Sequence, residues 1–93
     1  MSFTEQFIKE AKEILDKLPR ESIEGVVNCL AEARERGGRV FVLGVGGSAG
    51  SATHLVNDLR KLGNMEAYAP TDNVSELTAR TNDEGWASCF DGW

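Results

Sequence analysis

His54 and Asp58 stand four residues apart, and Ser51 precedes the histidine by three. On a helix those spacings place all three side chains along one narrow line. An imidazole and a carboxylate about one turn apart suit general acid–base chemistry, or two ligands of a divalent metal. Taken by spacing alone, the pair reads more simply as a surface contact, or as a histidine satisfied at the edge of a core. Its position changes that reading, because the segment just before it is Gly44-Val45-Gly46-Gly47-Ser48-Ala49-Gly50-Ser51. Three glycines let a chain turn sharply and bring backbone N–H groups close to a ligand. A helix N-terminus after such a turn offers unpaired N–H groups and the positive end of a dipole, which together hold an anion. Ser48, expected as the N-cap, and Ser51 add hydroxyls that donate to phosphate oxygens. From Ser48 to His54 a helix rises about 9 Å, roughly the reach of an extended sugar chain. A phosphate held at the loop leaves its far carbons near His54 and Asp58.

The elements that must position these residues follow from periodicity. Val40-Phe41-Val42-Leu43, bounded by glycines, reads as a short strand buried on both faces, as in a parallel sheet. The helix after the loop runs from about Ala49 to Leu62 and closes at Gly63-Asn64. Its apolar face is Ala52, Leu55, Val56, Leu59 and Leu62, with Thr53, Asn57 and Arg60 pointing to solvent. Upstream, Phe3, Phe7, Ile8, Ala11, Ile14, Leu15 and Leu18 recur at helical spacing up to Pro19, which ends that helix. A second helix follows with Ile23, Val26, Val27, Leu30, Ala31 and Ala33 inward, ending at Gly37-Gly38. Downstream, Met65 to Ala69 reads as a second strand stopped by Pro70. Asn73 with Glu76 forms a capping-box pattern that opens a helix through about Arg80. Thr81 to Gly85 is then a polar loop, in which Asn82 and an N-capping Asp83 need no functional explanation by themselves.

With 93 residues the chain holds one domain at most, and 41% hydrophobic with 27% charged residues describes a folded chain. A net charge of −5 without a basic cluster argues against nucleic acid or an anionic membrane surface as partner. There is no signal-peptide core and no long apolar run, so a soluble intracellular chain is expected. Cys29 and Cys89 are far apart and read as buried free thiols. Two parallel strands alone leave sheet edges and faces unsatisfied, and Trp86, Phe90 and Trp93 begin something apolar that these residues do not finish. The expectation is the N-terminal part of a longer α/β chain.

Gly44-x-Gly46-x-x-Ala49 also satisfies a dinucleotide fingerprint, with Glu66 or Asp72 as ribose partner. Two helices before the first strand, and the serines, speak for a terminal phosphate monoester instead.

Taken together, the two leading helices, VFVLGVGGSAGSATHLVNDL, the second strand and TARTNDEGW resemble the SIS (sugar isomerase) domain family, nearest its phosphoheptose isomerase branch. The resemblance implies a SIS-type, flavodoxin-like parallel sheet flanked by helices, with residues 1–37 a helical oligomerisation segment and 38–93 the start of the α/β core. It implies a cytoplasmic homotetramer that converts sedoheptulose 7-phosphate to a mannoheptose 7-phosphate through an enediol. In that likeness Val45, Gly46, Gly47, Ser48, Asn82 and Asp83 contact substrate. His54 is the acid–base and metal histidine, Asp58 is the carboxylate, and zinc is the metal. A second Ser/Thr phosphate loop and late Gln and His ligands would lie beyond residue 93. The chain departs from the family at Val45, where Asn is usual, and at Asp58, where Glu is usual. Pulling a catalytic carboxylate back by one methylene is a shift that can cost about a hundredfold in rate. A non-catalytic SIS protein, binding sugar phosphate or serving as a scaffold, is the second expectation.

Overall fold

Helix α1 (Phe3–Lys17) begins where its local chemistry directs. Ser2 accepts from the Glu5 N–H, and the Glu5 carboxylate accepts from the Ser2 N–H at 2.7 Å, a reciprocal box that satisfies two orphan donors. Ser2-x-x-Glu5 has the capping-box spacing. Leu18 caps the other end just before Pro19. Helix α2 (Arg20–Glu35) ends on Gly37 at φ +67°, with the Gly38 N–H donating back to the Ala33 carbonyl at 2.7 Å. The computed structural model describes all 93 residues and divides them into two compact units, Met1–Leu30 and Ala31–Trp93, with the division inside α2. In the first unit no residue of α1 is buried, and Phe3, Phe7, Ile14 and Leu15 are each more than half exposed. Cys29, expected inside, is exposed.

The second unit is an α/β arrangement. Strand β1 (Arg39–Phe41) pairs in parallel with β2 (Glu66–Tyr68), in the register Arg39–Glu66, Val40–Ala67 and Phe41–Tyr68. One further ladder bond, Val42 N–H to Tyr68 carbonyl at 2.9 Å, extends the pairing before Pro70 ends it. Helix α3 (Gly47–Lys61) crosses between the strands and covers one face of the sheet. Ala52, Val56, Ala67 and Ala69 form the buried centre, with Val40, Val42 and Leu59 packed around it. Within these 93 residues the strand is covered on one face only, short of the burial on both faces expected for it. Side chains alternate across a strand, so Phe41, Leu43 and Tyr68 lie on the opposite face and stay exposed, with Phe41 and Tyr68 stacked at 5.6 Å. The inward face of α3 is also narrower than expected, since Leu55 and Leu62 are exposed.

A single 3-10 turn, Pro70–Asp72, leads to α4 (Val74–Glu84). Asn73 caps α4 by accepting from the Glu76 N–H at 3.0 Å. The return half of the box does not form, because Arg80 takes the Glu76 carboxylate instead. Helix α4 runs past the expected end near Arg80 to Glu84, where the Gly85 N–H donates to the Thr81 carbonyl at 3.1 Å and Gly85 turns away at φ +97°. Consequently Asn82 and Asp83 sit in its last turn rather than in a loop. After a second 3-10 turn, Trp86–Ser88, Cys89 is buried and Arg80 reaches the Gly92 carbonyl. No helix is long and apolar enough to cross a membrane.

Candidate functional site

The connection from β1 to α3 is built by close approach. A side chain at Gly44 would collide with the backbone of Ser48 and Ala49, so only glycine lets the strand end lie against the first turn of α3. Gly46, at φ +61° and ψ −124°, holds a conformation that L side chains rarely adopt, and serves as the N-cap. Ser48 is thus not the N-cap expected for it. It lies inside the first turn, because the glycine turn begins the helix before the serine arrives. Its N–H and that of Ala49 are taken by the Val45 and Gly46 carbonyls at 3.1 and 3.0 Å. The N–H groups of Gly46 and Gly47 have no backbone or side-chain acceptor, and no side chain caps them. Both glycines face open space, so an anion would meet two unpaired donors and the dipole of a helix of 15 residues. The Ser51 hydroxyl makes only a long bond to the Gly47 carbonyl, at 3.5 Å, which keeps it at the same first turn.

One line along α3 carries the titratable pair. His54 Nε2 lies 3.4 Å from Asp58 Oδ2, with the imidazole 77% and the carboxylate 43% exposed. The spacing read from sequence therefore produces a real contact. As metal donors the two fit zinc in kind, an imidazole nitrogen beside a carboxylate oxygen, but not in number. Catalytic zinc takes three protein ligands, and no third His, Cys, Asp or Glu joins this pair. Asn82 and Asp83 bond only to each other, at 3.1 Å, and neither is hydrogen-bonded or ion-paired to the glycine loop or to the His54–Asp58 pair. Val45 stands at the loop with its side chain exposed.

On the opposite flank of α3, Thr53, Asn57 and Arg60 are exposed, as their spacing predicts, and border two shallow, open hollows that share Val56, Arg60 and Asp72. The Thr53 hydroxyl donates to Asp72 Oδ1 at 2.6 Å and ties α3 to the turn before α4. Spacings of four and three residues were visible in the sequence as a second polar line. Nothing in them indicated that residues 70–75 would fold against it.

Comparison with known proteins agrees with this architecture. A family profile described as "SIS domain" matches residues 6–87. The chain is 42% identical over 73 residues to the phosphoheptose isomerase of Geotalea daltonii, covering 73% of this chain and 38% of that protein. It is 32% identical over 92 residues to the phosphoheptose isomerase of Syntrophotalea carbinolica, covering 90% of this chain and 47% of that one. Its structure resembles that of phosphoheptose isomerase GmhA from Neisseria gonorrhoeae, with a TM-score of 0.64 and 26% identity over 98% of this chain and 52% of that one. The chain therefore spans about half the length of the relatives it matches, or less.

Proposed function

Because this chain belongs to the SIS domain family and carries the start of its α/β fold, we propose that the protein containing it is a sugar-phosphate isomerase. The substrate is sedoheptulose 7-phosphate, converted to D-glycero-D-manno-heptose 7-phosphate by aldose–ketose isomerisation. The observation that carries this reading is geometric. Unpaired N–H groups of Gly46 and Gly47 open the same helix on which His54 and Asp58 meet two turns later.

In this mechanism the loop N–H groups, with the hydroxyls of Ser48 and Ser51, bind the phosphate. That binding is remote from the reacting carbons and holds them in register with the pair. Asp58 takes the proton from the carbon beside the carbonyl and returns it to the neighbouring carbon. His54 gives a proton to the carbonyl oxygen as negative charge develops there in the enediolate, and takes one back from the adjacent hydroxyl as the new carbonyl forms. A zinc ion completed by ligands from outside these residues would find two donors in His54 and Asp58, and when bound would polarise that carbonyl as a Lewis acid. Asn82 and Asp83 are assigned to substrate hydroxyls, which requires that assembly or substrate bring the end of α4 towards the loop. The exposed apolar face of α1 suits the self-association expected of a homotetramer, and a cytoplasmic enzyme is the matching location.

The test uses the full-length protein. Asp58→Asn should abolish turnover of sedoheptulose 7-phosphate and leave its binding within about threefold, since the phosphate contacts are untouched. Full turnover in that variant removes Asp58 from the chemistry. The apolar Val45 beside the cradle favours a second reading, a sugar-phosphate-binding SIS protein without catalysis. Binding without any turnover in the unmodified protein would select it.

A further inference from the structure

Helix α4 carries Asn82 and Asp83, yet none of its residues is buried, and it packs chiefly on the 3-10 turns that flank it. The first of those turns, Pro70–Asp72, packs on α3. Strands β1 and β2 run parallel, so this turn leaves the sheet at the same edge as the glycine loop. That carboxyl edge is where open α/β sheets bind ligands. One side-chain bond joins the turn to α3, from the Thr53 hydroxyl to Asp72 Oδ1 at 2.6 Å. Every other hydrogen bond between two side chains, and every ion pair, joins residues no more than four apart. Its length is that of a hydroxyl on an ionised carboxylate, a bond roughly twice as strong as one between neutral groups. No cation pairs with Asp72, so Thr53 is the side chain that holds it. The next residue after Asp72 is Asn73, the N-cap of α4, and the next after Thr53 is His54.

We propose that Thr53 and Asp72 are positioning residues of the sugar-phosphate site. Their bond pins the start of α4 to α3 beside His54, and through that helix sets where Asn82 and Asp83 stand against bound substrate. The inference rests on the isomerase reading and on its assignment of Asn82 and Asp83 to substrate hydroxyls. A single bond matters here because the helix acts as a lever. From Asn73 to Asn82 a helix rises about 14 Å, so a tilt of roughly 4° at the pinned end moves Asn82 by about 1 Å. Misplacement on that scale can cost about a hundredfold in rate. Anion binding by the Gly46 and Gly47 N–H groups does not pass through the pin, since those donors open α3 itself.

The test titrates the full-length protein and its variants with inorganic phosphate and with sedoheptulose 7-phosphate. Thr53→Val keeps the side-chain volume and loses the hydroxyl. It should weaken sedoheptulose 7-phosphate about tenfold and leave inorganic phosphate within about twofold. Asp72→Ala should give the same split, and Thr53→Ser, which keeps a donor, should recover sugar-phosphate affinity to within about threefold. In an Asn82→Ala background Thr53→Val should add little further loss, because both changes remove the same contact. A general loosening of the fold would lower both ligands together. Equal loss of the two ligands, no recovery in Thr53→Ser, or losses that add to that of Asn82→Ala each overturn the proposal. An unmodified protein that does not bind sedoheptulose 7-phosphate defeats the isomerase reading and this inference together. Binding that ignores Thr53→Val defeats this inference alone.

Discussion

Helices α1 and α3 are each 15 residues long, yet they are held in opposite ways. The first is specified locally: a reciprocal Ser2–Glu5 box starts it, a proline stops it, and none of its side chains is buried. The second has no side-chain cap at its N-terminus, and is kept in place by burying Ala52 and Val56 against Ala67 and Ala69. The difference bears directly on function. A helix whose first N–H groups are satisfied by its own serine and glutamate has little to offer a ligand. One that begins on bare glycine leaves its donors open, and only tertiary packing can make up the lost local stability. Local rules are broken where the candidate site lies.

The comparison is open to attack, most strongly at Gly44. Replacing it with alanine forces a methyl into the Ser48–Ala49 backbone, and should cost about 3 kcal/mol or prevent folding. Chemical denaturation measures this, and an unchanged midpoint would mean that α3 does not pack on the strand end as described. Val56→Ala, in the buried centre of α3, should cost about 2 kcal/mol. Ile14→Ala on α1 should cost under about 0.5 kcal/mol in a dissociated chain. A larger loss that grows with protein concentration would show α1 stabilised by a partner copy.

Gly46→Ala probes the open N-terminus itself. The left-handed φ of that residue should make the substitution cost about 1–2 kcal/mol and weaken phosphate binding, whereas Ser2→Ala should cost about 1 kcal/mol with no effect on phosphate. Equal phosphate affinity in both variants would erase the distinction between the two helix starts.

The smallest effect is expected from pH. Hydrogen bonds from the Ser2 backbone N–H, and then from its side chain, hold the Glu5 carboxyl below its ordinary value of 4.5. The support it gives α1 is therefore present above that value, and is lost as pH falls through the lowered one. The protection of first-turn amides of α1, taken relative to their intrinsic exchange at each pH, should fall in that acid window and should stay constant there in Glu5→Gln.

Much of this was readable in the residues because it depends on short-range chemistry. Pro19, Gly37 and Gly63 ended helices where expected, Asn73 capped α4, and the i, i+4 spacing of His54 and Asp58 became a contact. Two local readings differ for a local reason: Gly46 takes the cap expected of Ser48, and α4 continues through Asn82 and Asp83 until Gly85 caps it on the Thr81 carbonyl. The remaining differences arose from packing. Apolar periodicity says that Phe41, Leu43, Leu55 and the face of α1 favour cover, but it cannot say which neighbour supplies it. Nor does an exposed line of Thr53, Asn57 and Arg60 announce that Asp72, 19 residues beyond Thr53, will accept from its hydroxyl.

By itself, then, the order of amino acids determined the helix ends, the glycine turn and the alignment of the histidine with the carboxylate, since each depends on atoms within a few bonds or one turn. Tertiary structure alone decided that α3 packs on the sheet face carrying Ala67, and that Asp72 meets Thr53. Those depend on contacts between segments distant along the chain, whose free energy no single stretch contains.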